Sequence, residues 1–62
     1  MFRPGEIVEM EFDSNTLLAG TLARVIAVGE GWKEGYCKIH TMENNVAVVP
    51  FVCLKHWKEV DL

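Results

Sequence analysis

Cysteine, proline and basic residues are all scarce in this chain, and no long apolar run occurs. There are two cysteines and two prolines in 62 residues. Two cysteines are too few for a disulfide-rich secreted scaffold. The opening "MFRPGEIVEM" lacks the apolar core of a secretion signal. A cytoplasmic setting with reduced thiols is therefore expected. No apolar stretch approaches the roughly 18 residues that a membrane span needs, so no membrane association is expected. Six Lys and Arg stand against nine Asp and Glu, for a net charge of −3. Proteins that hold a phosphate backbone usually carry a basic excess, so a dominant nucleic-acid partner is disfavoured.

Apolar residues, by contrast, are abundant, at 50% of the chain. The length allows one domain, residues 1–62. A domain of this size buries only about 60% of its unfolded surface. Surplus apolar side chains then need a second place to hide, and a subunit interface is one.

The apolar residues come in short segments separated by turn formers, with no helical period. In residues 6–12 (EIVEMEF), Val8, Met10 and Phe12 share one face and Ile7, Glu9 and Glu11 the other, as in a half-buried strand. A polar loop, DSNT, follows. Residues 17–28 (LLAGTLARVIAV) read as a long second strand, with Gly20 marking a bulge or bend; helix is the alternative, since Ala, Leu and Arg favour it, and Gly20, Thr21, Val25, Ile26 and Val28 weigh against it. Residues 29–35 (GEGWKEG) form a glycine-bracketed loop. Residues 36–42 (YCKIHTM) read as the third strand. Asn44 and Asn45 suit the positive φ of a tight hairpin, and residues 46–49 (VAVV) read as the fourth strand. Residues 50–54 (PFVCL) fit one 3-10 turn and residues 55–60 (KHWKEV) a last strand. This order predicts an all-β fold, a small five-stranded SH3-like barrel with a 3-10 turn before the last strand.

Three stretches carry a family resemblance in the same order: Gly5-Glu6-Ile7-Val8, Glu34-Gly35-Tyr36, and Val46-Ala47-Val48-Val49-Pro50 running on to Leu54. With them the chain resembles the plasmid-borne, trimethoprim-insensitive type II dihydrofolate reductases, over Gly5 to Trp57. The resemblance implies an SH3-like barrel assembling as a homotetramer around a pore. It also implies NADPH and dihydrofolate as ligands, held by a pore glutamine and a pore tyrosine. Here those two positions are Ala47 and Val49, and the basic residues after the opening valine are Met10 and Glu11. Ala47 and Val49 have no side-chain hydrogen-bonding groups, and Glu11 would repel an anionic ligand. The scaffold is thus expected without the reductase activity.

The leading expectation is a non-enzymatic binding module that self-associates and takes a protein or small ligand. Its contact residues would be Trp32, Tyr36, Val46, Ala47, Val48 and Val49. Trp32 is either a loop anchor or a lid on the core. Val46 to Val49 are all apolar, so one side of that strand should meet a subunit or ligand. A divergent NADPH-dependent type II reductase is the first alternative. A KOW- or Tudor-like nucleic-acid module is the second.

Cys37, His40, Cys53 and His56 are formally enough for a tetrahedral zinc site. On a strand, however, residues i and i+3 face opposite sides, and neither Cys-x-x-His pair contains the glycine or proline of a knuckle. Buried cysteines acting as small hydrophobes are expected instead, with no metal. A Cys37–Cys53 disulfide would need closely aligned Cβ atoms. Glu9, Glu11 and Asp13 read as a solvated face. Ser14 has no triad partners nearby in sequence.

Overall fold

The structure, a computed structural model, describes residues 2–14, 16–29 and 34–57. Five strands follow one another: β1 Ile7–Met10, β2 Leu22–Val28, β3 Tyr36–Thr41, β4 Val46–Pro50 and β5 Leu54–His56. A 3-10 turn, Phe51–Cys53, sits between β4 and β5. The all-β class, the five strands and the turn before the last strand agree with the expectation from sequence. Every pairing is antiparallel, and the sheet order is β4-β3-β2-β1-β5. Among the described residues no helix is long and apolar enough to cross a membrane.

β4 and β5 are the two edges of the sheet. Laid flat, four strand spacings of about 4.8 Å would part them by about 19 Å. Pro50 and Leu54 are joined only by the three-residue 3-10 turn, which advances about 2 Å per residue. The sheet must therefore curl until its edges approach at that end. No ladder joins β4 to β5 among the described residues, so the curled sheet is open.

Curling gives the sheet one inner face. Val8, Met10, Ala23, Val25, Cys37, Ile39, Val49 and Leu54 line it, and Leu17 closes it from the loop after β1. Each of β1 to β3 contributes alternate residues, as the two-residue period of a strand requires.

Three local readings change. Phe12 was expected beside Val8 and Met10, but β1 stops at Met10 and Phe12 is exposed. The chain leaves the sheet there, and the Glu11 N–H is taken by the Cys53 carbonyl. The second strand starts at Leu22 rather than Leu17. Leu17 instead forms an isolated bridge with Ser14, and residues 18–21 belong to a turn in which Gly20 adopts φ +95° and its N–H bonds the Met10 carbonyl. Only glycine takes that backbone readily. The β3–β4 hairpin uses a three-residue loop, Met42 to Asn44. Thr41 O accepts from Asn44 N–H, and Thr41 N–H donates to Asn45 O. Asn44 alone takes positive φ, at 71°, as in a type I turn closed by one left-handed residue.

Candidate functional site

The pairing register fixes which side chains share the outer face. Ile7 lies opposite Arg24, Arg24 opposite His40, and His40 opposite Val46, so one row crosses β1 to β4. In the next row Ala27 faces Lys38 and Lys38 faces Val48. The register shifts between Val25 and Ala27. Ile26 is the extra residue of that bulge, and it stands out into solvent at 44% exposure. Tyr36 and Pro50 form a third row.

This geometry divides the predicted contact residues. Val49 is fully buried and Ala47 packs against the core, so both face inward. Val46, at 57% exposure, and the half-buried Val48 face outward. Tyr36 is half-buried on the outer side of β3. The structure thus brings Tyr36, Val46 and Val48 to one surface and places Ala47 and Val49 behind it. Trp32 lies outside the described residues.

The candidate metal ligands are divided in the same way. Cys37 points into the core, whereas His40 points outward and donates from Nε2 to Asn44 Oδ1 at 2.7 Å. Cys37 and Cys53 are free thiols. Among the described residues, no three His, Cys, Asp or Glu side chains are grouped as metal ligands. Burial, with the charge of Glu6 adding to it, pushes the Cys37 thiol up. A thiol held protonated in an apolar site is a poor nucleophile.

A polar cluster that sequence reasoning missed sits at the same end of the core. His56 Nδ1–H donates to Glu6 Oε2. The Phe2 ring stacks on the His56 imidazole at 4.5 Å between centroids, and also meets Phe51 at 5.8 Å. Glu6 Oε1 accepts from the Arg3 N–H at 3.0 Å. Burial works to raise the Glu6 carboxyl. The bonds from His56 and Arg3 outweigh it and hold the acid below its ordinary value. Fifty residues separate Glu6 from His56 in sequence. The usable signal was topological: pairing β5 with β1 sets His56 opposite Val8, one inward position from Glu6.

Of the acids read as a solvated face, Glu9 pairs with Lys55 at 4.0 Å across the β1–β5 ladder. Asp13 accepts the Ala19 N–H at 2.7 Å and so holds its own loop. Glu11 is exposed. A shallow groove of about 460 Å³ runs between residues 18–22 and the β3–β4 turn, flanked by the exposed side chains of Leu18 and Met42. Among the described residues no buried side-chain nitrogen or oxygen lacks a partner. Comparison of the chain with protein-family models, with curated proteins and with solved structures gives no match.

Proposed function

We propose that this chain is a non-enzymatic SH3-like interaction module that self-associates through the outer strip of β4. The carrying observation is the position of Val46. It stands 57% exposed beside Val48, while the inner positions of the same strand are already filled. Aliphatic side chains next to one another on an outer sheet face gain about 25 cal/mol per Å² when a partner covers them. A second copy is the occupant expected here, in a homo-oligomer for which the resemblance suggests a tetramer. The thiol state of both cysteines is in keeping with a cytoplasmic protein.

The reductase reading differs in its demand on β4. It needs polar groups turned toward a shared pore at positions 47 and 49, and this chain has alanine and valine turned toward the core. NADPH fluorescence titration separates the two. An interaction module leaves NADPH emission unchanged. Saturable quenching or enhancement, followed by dihydrofolate-dependent NADPH oxidation, would replace the module with an enzyme.

A further inference from the structure

We infer that the outer face of β2 and β3 docks an acidic, extended segment of another protein. The inference rests on the outer face being a contact surface, and it adds the chemistry of what that surface meets. The chain as a whole is acidic, yet the cations among the described residues are concentrated. Of the four described basic residues, Arg24, Lys38 and Lys55 lie on the outer face and only Arg3 lies elsewhere. Of the six described acids, only Glu9 shares that face, and Lys55 accompanies it. Glu11, Asp13, Glu34 and Glu43 are exposed in the turns and loops. Arg24 and Lys38 have no ion pair with any described residue. They sit on neighbouring strands, Arg24 directly opposite His40 and Lys38 two residues from it on the same side.

That diagonal spans about 7–8 Å. In an extended peptide, carboxylates at positions i and i+2 lie about 7 Å apart on one side. The two spacings match, so one strand-like acidic segment can meet both cations together. The exposed Ile26, on β2 beside the pair and outside the β4 strip, adds apolar contact. A nucleic acid fits less well. Two cations are few against the six to ten phosphate contacts of typical binders, and the net charge of −3 repels a polyanion.

The test is fluorescence anisotropy on the full chain. The probes are a fluorescein-labelled peptide of alternating glutamate and serine, about ten residues long, its lysine–serine counterpart, and an oligothymidylate of similar length. Only the glutamate peptide should bind. Its affinity should fall tenfold or more in the double variant Arg24→Glu, Lys38→Glu, and should weaken as salt shortens the Debye length. Both substitutions are at exposed positions, and circular dichroism checks that the variant is folded. No binding by the glutamate peptide, equal binding by the lysine peptide, or preference for oligothymidylate would each overturn the inference. Sedimentation of the same samples keeps the two readings apart. A monomer that takes the glutamate peptide removes self-association and leaves this inference standing. An oligomer that ignores the peptide does the reverse.

Discussion

Val49→Tyr places on β4 the residue type that the reductase resemblance puts in a pore. Val49 has no exposed surface, pairs across the ladder with Cys37, and packs into the shared core. A tyrosine there must force an aromatic ring into filled space, at about 1–3 kcal/mol. It must also bury a hydroxyl with no partner provided, at about another 1–3 kcal/mol. The expected loss is therefore about 2–6 kcal/mol. A chain of 62 residues at about 0.05–0.15 kcal/mol per residue has about 3–9 kcal/mol in total. The variant should be barely folded or unfolded. Val52→Tyr is the control, with the same ring at a position 75% exposed in the 3-10 turn and away from the proposed interface, and it should change stability by no more than about 0.5 kcal/mol. Urea titration followed by circular dichroism reads both. At a slope of about 1 kcal/mol per molar urea, the two midpoints should differ by about 2 M or more. A Val49→Tyr protein as stable as wild type would refute the inward placement of β4. If that variant also bound NADPH, position 49 would open on a pore.

Further outcomes follow from other parts of the fold. Gly20→Ala should cost about 1–2 kcal/mol, because φ is +95° there and a side chain pays for that backbone; the added Cβ meets nothing within 4 Å, so a near-zero change in urea midpoint would count against the turn. Replacing His56 by alanine removes both the Glu6 partner and the Phe2 stack, at about 1 kcal/mol in the same titration for groups this exposed. The Glu6 carboxyl is held below its usual 4.5, so its stabilising contribution is present above that pH and lost as pH falls through the depressed folded value. Glu6→Gln should accordingly show a shallower fall in stability on acidification than wild type, and identical acid profiles would contradict the pairing. Cys37, fully buried and with its thiol pushed up, should react with a disulfide reagent far more slowly than the half-buried Cys53; equal rates for the two single-cysteine variants would show the core end to be open.

Alternation carried most of what the sequence could tell. Val8 and Met10 against Glu9 placed β1 and its inner face, because a strand with one wet side must alternate. β4 did not yield to the same reasoning. With four apolar residues in a row, nothing in the letters said that Ala47 and Val49 turn inward and Val46 and Val48 outward. The ladder to Cys37 and Ile39 decides that. Leu17 to Thr21 looked like strand because leucine and threonine suit one, and the positive φ of Gly20 overrode them. The Glu6–His56 contact could not be found locally, since it exists only once β5 folds back on β1. The gathering of Arg24 and Lys38 on one face was hidden for a related reason. Net charge records how many cations there are, and strand pairing records where they stand.

The claim on which the functional account depends is that the outer strip of β4 is covered by a second copy. Sedimentation equilibrium of wild type beside Val46→Asp tests it most directly, since position 46 is exposed and the change should leave the fold intact. The account predicts a wild-type mass that is a multiple of the 7.0 kDa chain and a folded, single-chain Val46→Asp protein. A wild type that stays at one chain mass up to millimolar concentration, or a Val46→Asp variant that assembles as wild type does, would contradict it.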